Sequence, residues 1–86
     1  MKAHLYLVAL GSNQRIAHIG TPAAVIAQAI AALEMPEIDV FDVSPIIGSV
    51  AVGPSQRQYA NAAALLSSEL EPPEMLLALQ SIERHF

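Results

Sequence analysis

The chain has 86 residues, with four Lys and Arg against eight Asp and Glu, a formal net charge of −4 and no cysteine. This length predicts a single domain, residues 1–86, and the lack of thiols excludes disulfides and thiolate metal sites. The basic residues are scattered and form no stripe for phosphates, so we expect no nucleic-acid binding. No apolar run approaches the roughly 20 residues of a membrane span, so we expect no membrane association and a cytoplasmic location.

The first third of the chain predicts a strand followed by a helix. His4–Leu10 is short and apolar and precedes the turn-forming Gly11-Ser12-Asn13, which predicts a buried strand and then a turn. Gly11 itself suits an unusual φ or a close approach that a side chain would forbid. Thr21-Pro22 predicts a helix start and Met35-Pro36 its end. Between them, apolar residues recur at helical spacing: Ile26, Ala29, Ile30 and Leu33.

The middle of the chain predicts a second strand, Ile38–Ile47. Its apolar residues change face along the segment, which predicts a bulge or a twist near Val40. Asp39 and Asp42 are three residues apart, so a regular strand would place them on opposite faces as solvated carboxylates. Pro45–Val52 predicts an irregular connection whose backbone groups need partners, and a bound ligand is one such partner.

A third strand is predicted at Tyr59–Glu69, after the turn signal Gly53-Pro54. Tyr59 and Asn61 are two residues apart, so their side chains point to the same face. One interpretation is a ligand site, in which the Tyr stacks on a flat ring and the Asn hydrogen-bonds its edge. The other is structural: the Tyr packs in the sheet and the Asn satisfies a nearby backbone group. Spacing alone favours the structural interpretation.

The last element predicted is a helix that begins in Glu71-Pro72-Pro73-Glu74, with prolines and acids in its first turn. Its buried stripe is Met75, Leu79, Ile82 and Phe86. Gln80 and Glu83 are neighbours that can present an amide and a carboxylate together, although spacing alone favours an exposed polar face. The element order predicts an α+β fold: a ferredoxin-like β-α-β-β-α unit lacking its final strand, with an antiparallel sheet and two helices on one face.

Five short motifs stand in order along nearly the whole chain. They are Ala9-Leu10-Gly11-Ser12-Asn13, Val52-Gly53-Pro54, Tyr59-Ala60-Asn61-Ala62, Glu71-Pro72-Pro73-Glu74-Met75-Leu76 and Leu79-Gln80-Ser81-Ile82-Glu83. With these motifs the chain resembles the N-terminal half of the 6-hydroxymethyl-7,8-dihydropterin pyrophosphokinase family.

The resemblance implies transfer of pyrophosphate from ATP to the hydroxymethyl group of a reduced pterin in folate biosynthesis, with Mg²⁺ as the metal. It implies that the pterin stacks on Tyr59 and is hydrogen-bonded by Asn61. It also implies that backbone groups of Ser49, Val50 and Val52 contact the other edge of the pterin. Gln80 and Glu83 would lie on the nucleotide side.

The chain also departs from the family pattern. Ile47, Ser49 and Val50 stand where the family usually has Tyr, Thr and Pro. The family's magnesium-binding Asp pair, its basic Trp-bearing loop and its last strand would lie beyond Phe86. We therefore predict no catalytic or metal-ligating residue in this chain and no activity for the chain alone. Three hypotheses stay open: a fragment of an active kinase, a pterin-binding pseudo-enzyme, and a structural or assembly module.

The expected lack of a closing strand bears on association of the chain. In a ferredoxin-like sheet the closing strand covers the outer side of the first strand. Without it, His4–Leu10 would lie at an edge with unpaired N–H and C=O groups. An apolar edge of this kind invites antiparallel pairing between two copies. The sequence therefore predicts a homodimer or larger assembly through His4–Leu10.

Overall fold

The computed structural model describes residues 2–13, 16–50 and 58–86. The elements follow in the order β1 (His4–Ser12), α1 (Pro22–Ala32), β2 (Asp39–Val43), β3 (Ile47–Val50), β4 (Gln58–Ser68) and α2 (Pro72–Glu83). β4 is central: β1 pairs along one side of it, while β2 and β3 follow one another along the other side, all antiparallel. This confirms the predicted α+β ferredoxin-like unit.

The alternation of β4 separates the two faces of the sheet. Its buried apolar residues are Ala60, Ala62, Ala64 and Leu66, which pack against the helices. We call this side of the sheet the helix face. Leu33 at the end of α1 and Met75 of α2 meet Ala64 and Leu66 in one cluster, whereas Ile26 of α1 packs on Ala60 and Ala62. Small alanines let the helix backbones approach the sheet closely. The opposite face, which we call the open face, carries no described helix.

β1 differs from the predicted strand in length and in burial. It continues through Gly11 to Ser12, because both residues pair with β4 in unbroken register, so the predicted turn begins later. Its side chains alternate between half-buried and exposed, and Leu5 and Leu7 are each 74% exposed on the open face. The expectation of a buried strand was therefore wrong, because the helices cover only one face. In the described part of the chain β1 pairs with no strand other than β4.

The predicted irregularity near Val40 is confirmed as a register shift between Val40 and Asp42. This shift changes the placement of two carboxylates. Asp39 pairs with Ser67 and Asp42 pairs with Leu65, and these two β4 residues lie on the same face. Asp39 and Asp42 therefore share the open face. The expectation of opposite faces was wrong, because the extra residue resets the alternation of the strand.

The predicted strand Ile38–Ile47 is divided into two strands around Ser44. The Ser44 N–H donates to the Ala63 carbonyl at 2.8 Å, and the Ser44 hydroxyl accepts from the Ala63 N–H at 2.8 Å. Pro45 then offers no N–H to the ladder. Pairing resumes at Ile47–Val50, so Ser49 and Val50 belong to a strand and not to an irregular connection. Val52 lies outside the described residues.

Both helices begin as their sequences predict. The Ala24 N–H donates to the Thr21 hydroxyl at 3.3 Å at the start of α1, and the Glu71 N–H donates to the Glu74 carboxylate at 3.0 Å at the start of α2. Pro occupies the first turn of each helix. Neither helix, nor any other helical segment among the described residues, has the length and apolar character needed to cross a membrane.

Tyr6 ties β1 to the entry of α2. Its side chain lies on the helix face, and its hydroxyl donates to the Leu70 carbonyl at 2.6 Å. Desolvation raises the pKa of Tyr6, and the negative charges of Glu71 and Glu74 raise it further. The neutral hydroxyl is therefore the form that the fold favours at this end of the sheet.

Candidate functional site

Tyr59 and Asn61 lie side by side on the open face, as their spacing predicts. Both are followed by residues that are buried on the helix face, Ala60 and Ala62, and both are themselves exposed. The Tyr59 side chain is 36% exposed, so its ring is partly supported by the sheet and partly accessible. An aromatic ring and an amide are thus presented together on one surface.

β3 lies beside this pair on one side. Ser49 pairs directly with Tyr59, and Ile47 pairs with Asn61, so all four side chains share the open face. Ile47 is 66% exposed and extends the apolar part of this surface. The backbone of Val50 ends β3 opposite Gln58. The structure therefore brings Ser49 and the backbone of Val50 next to Tyr59.

β1 lies beside the pair on the other side and ends in Gly11. Gly11 pairs directly with Asn61. A Cβ atom placed on Gly11 would lie 3.0 Å from the Asn61 Oδ1, whereas the next nearest atom, the Ala60 carbonyl oxygen, lies at 4.0 Å. The amide of Asn61 thus leans across the sheet toward β1, over the space that a side chain at position 11 would occupy.

The structural interpretation of Tyr59 and Asn61 would have the Asn amide satisfy a nearby backbone group. Among the described residues, side-chain hydrogen bonds to backbone groups are made by residues such as Tyr6, Ser44 and Ser68. None of the side-chain hydrogen bonds within that part of the chain involves Tyr59 or Asn61. Both polar groups lie at the surface, where a ligand can reach them.

A cleft of about 530 Å³ lies between β1 and the two helices. Its walls are mainly apolar, with Val8 and Leu10 from β1, Ile26 and Ala29 from α1, and Leu76 and Leu79 from α2. Gly11 lines the cleft and also pairs with Asn61, so the cleft reaches the sheet next to the Tyr59 and Asn61 surface.

Gln80 and Glu83 line the same cleft from the last turns of α2. Both are exposed, as the polar helix face predicts. The structure therefore places them across the cleft from the end of β1. They do not belong to the Tyr59 and Asn61 surface itself, because α2 lies on the helix face of the sheet.

The described acidic residues do not assemble a magnesium site beside this surface. No three of the His, Asp and Glu residues that the structure describes are grouped as metal ligands. Asp42 pairs with Leu65, four residues along β4 from Asn61, which is about 13 Å at the rise of a strand. Glu83 is the only acidic residue among those lining the cleft. The described acidic residues therefore do not by themselves supply the ligands of a magnesium ion.

Gly11 is the part of this arrangement that the sequence did not assign to Asn61. A signal was available in the open-face residues of β1, whose side chains become smaller along the strand: Leu5, Leu7, Ala9 and Gly11. This series indicates that space is needed at the end of β1. The sequence does not show which side chain uses that space, because the partners Gly11 and Asn61 are fifty residues apart in the chain.

Comparison with known proteins identifies the family of the chain. No curated protein matches the chain. The family model for 7,8-dihydro-6-hydroxymethylpterin-pyrophosphokinase (HPPK) matches residues 7–86, which include every element described above except the first residues of β1. The chain therefore belongs to the 7,8-dihydro-6-hydroxymethylpterin-pyrophosphokinase family, whose members are pyrophosphokinases of folate biosynthesis.

Proposed function

We propose that the open-face surface formed by Tyr59, Asn61 and Ser49 binds the pterin substrate of this family. One observation carries the proposal: an exposed Tyr and an exposed Asn stand side by side on a sheet face that no described helix covers. Within this proposal the ring of the pterin stacks on Tyr59. The Asn61 amide, which has a donor and an acceptor, pairs with the edge of the heterocycle.

β3 would complete the recognition of the pterin. Ser49 stands directly across from Tyr59, and Val50 ends the strand beside it. In the described part of the chain β3 pairs with β4 along one edge only, so backbone N–H and C=O groups on its other edge can bind a ligand. We propose that the backbone of Ser49, Val50 and Val52 supplies these contacts, although Val52 lies outside the described residues.

The cleft beside β1 is our candidate for the nucleotide side. Gln80 and Glu83 line it, and it reaches Gly11, which pairs with Asn61. A nucleotide held there would lie next to a pterin on the open face. Enzymes of this family use ATP and Mg²⁺. The Mg²⁺ would neutralise the charge of the transferred pyrophosphate. We propose Gln80 and Glu83 as nucleotide-side residues that orient the substrate, and no catalytic residue among the described ones.

We propose that the 86-residue chain by itself does not transfer pyrophosphate. A phosphoryl group in transfer needs cations around it, since positioning and charge neutralisation supply nearly all of the catalysis. This chain has four Lys and Arg and a net charge of −4. Asp39 and Asp42 lie at the end of the sheet far from Asn61. After the pyrophosphokinase function of the family, pterin binding without transfer is our second candidate function. A structural or assembly module of the same fold is the third.

Titration calorimetry of the chain with 6-hydroxymethylpterin tests the binding proposal. We expect a saturable heat for the wild type and none for a Tyr59→Ala, Asn61→Ala double variant. A second readout uses the two tyrosines of the chain. With labelled tyrosines, the pterin should shift the Tyr59 ring resonances and leave those of Tyr6, at the other end of the sheet, in place. Absence of heat at millimolar pterin would refute the proposal for this chain.

We propose that two copies associate through the outer edge of His4–Leu10. In the described part of the chain this strand pairs only with β4, and its open face carries the exposed Leu5 and Leu7. Two such edges related by a two-fold axis would pair antiparallel and extend each sheet. The contact would lie beside the cleft, because Val8, Ala9 and Leu10 of this strand also line it.

We also propose that residues 1–86 act as one folding unit in the cytoplasm, without a nucleic-acid or membrane partner. The clusters that join both helices to β4 support a single unit, and the net charge of −4 disfavours binding to phosphate backbones. A single cooperative unfolding transition, seen equally by near- and far-ultraviolet circular dichroism, is the expected result.

A further inference from the structure

Gly11 occupies a position that the backbone alone does not require to be glycine. It lies inside β1, two residues from Ala9 and beside Ser12, in unbroken register with β4. Among the described glycines only Gly20 has a positive φ, at 121°. A strand interior is also a poor place for glycine, since glycine contributes no side chain to the sheet and loses the most chain entropy. A reason other than backbone conformation is therefore needed.

The space above Gly11 supplies that reason. Gly11 and Asn61 are direct partners across the strands, and the Asn61 Oδ1 would lie 3.0 Å from a Cβ at position 11. This is closer than ordinary contact between carbon and oxygen, so a methyl group there would require the amide to move by a few tenths of an ångström. The final torsion of an Asn side chain is soft, and the amide would therefore rotate more readily than the strands would separate.

We propose that Gly11 is a positioning residue for substrate recognition, which holds the Asn61 amide in its binding orientation by leaving room for it over β1. This inference rests on the proposed function, because the amide orientation matters for the pterin that Asn61 is proposed to bind. Gly11 also lines the cleft beside β1. It therefore adds no side chain either to the cleft or to the space beside Asn61.

Gly48 provides a matched control on the opposite side of β4. It also lies inside a strand, pairs with Ala60 next to Asn61, and has no positive φ. A Cβ on Gly48 would have the Tyr59 carbonyl oxygen as its nearest neighbour at 3.8 Å, which is an ordinary contact. Gly48→Ala thus makes the same chemical change in the same sheet without touching the amide.

The first experiment compares pterin affinity in Gly11→Ala and Gly48→Ala by calorimetry. Misorienting one hydrogen-bonding amide should weaken binding roughly three- to tenfold in Gly11→Ala. Gly48→Ala should stay within about twofold of the wild type. In an Asn61→Ala background, Gly11→Ala should cause no further loss, because the group it displaces is gone. Equal affinities for the two glycine variants, or an additive loss in the Asn61→Ala background, would overturn the proposal.

The second experiment needs no ligand. The side-chain ¹⁵N–¹H₂ resonances of Asn61 should shift in Gly11→Ala and stay in place in Gly48→Ala. If the wild type binds no pterin, the proposed function fails while these resonances still decide whether Gly11 positions the amide. Unchanged Asn61 resonances in a folded Gly11→Ala would overturn the inference.

A folding defect would also be informative. If Gly11→Ala fails to fold and adding Asn61→Ala restores folding, the contact between the two positions is confirmed. If the double variant also fails to fold, Gly11 serves the backbone and the inference is wrong.

Discussion

Replacing Asn61 by alanine tests the proposed pterin surface most directly. Asn61 is exposed, and none of the described side-chain hydrogen bonds involves its amide. Its removal should therefore change the free energy of unfolding by no more than about 0.5 kcal/mol. Asn is also disfavoured in strands, so alanine carries no cost in strand propensity. Any large effect should appear in ligand binding and not in folding.

The expected loss of binding follows from the groups left unpaired. If the amide pairs with the pterin edge, the variant leaves a donor and an acceptor of the ligand without partners, at a cost of about 1–3 kcal/mol. That range corresponds to a roughly 5- to 150-fold increase in the dissociation constant. Asn61→Asp separates the two contacts, because the carboxylate keeps the shape and the acceptors but loses the donor.

Titration calorimetry with 6-hydroxymethylpterin is the assay, and Ser67→Ala is the matched control. Ser67 lies on the same strand and the same open face, six residues from Asn61, where it pairs with Leu5 and Asp39. Ser67→Ala should bind like the wild type. Both variants should unfold at the same urea concentration as the wild type. If Asn61→Ala then bound the pterin as tightly as Ser67→Ala, the proposed role of Asn61 would be refuted.

Three further outcomes are expected. The 86-residue chain with Mg²⁺, ATP and the reduced hydroxymethylpterin should form neither pyrophosphorylated pterin nor AMP above a blank, and measurable product in a chromatographic assay would contradict this. Leu7→Lys should shift the chain toward monomer in sedimentation at tens of micromolar, since a charge on an edge strand disfavours pairing with another chain. Leu7 is the site of choice because it is 74% exposed, whereas Val8 packs on the core. The control is Leu77→Lys on the surface of α2, where Leu77 is 65% exposed, and it should leave association unchanged. The same distribution of species in both lysine variants would count against the edge contact. The raised pKa of Tyr6 means that the unfolded chain releases this proton first, so stability should fall as the pH rises above about 10, and Tyr6→Phe should reduce that fall in urea titrations. An alkaline loss of the same size in Tyr6→Phe would rule out this contribution.

Local chemistry was enough to predict where most elements begin and what they bury. Thr21 and the prolines at positions 22 and 72 mark helix starts whatever the rest of the chain does, because capping and a fixed φ act within one turn. The two-residue period likewise placed Tyr59 and Asn61 on one face, since a strand alternates regardless of its neighbours. The change of face near Val40 could be predicted for the same reason. These signals, with the order of the elements, were sufficient for the fold, whereas the family was predicted from the resemblance of five short motifs.

Local patterns were therefore enough for the helix starts, for the order of the elements apart from the division of the second strand, and for the shared face of the candidate pair. The fold of the whole chain decides which residues meet across strands. It split the second strand at Ser44, joined Ser49 to Tyr59, brought Asp39 and Asp42 to one face and placed Gly11 under Asn61. The physical reason is register. Pairing between β1 and β4 joins residues 48 to 64 positions apart in the chain, and a slip of one residue would reverse every face without changing any local signal.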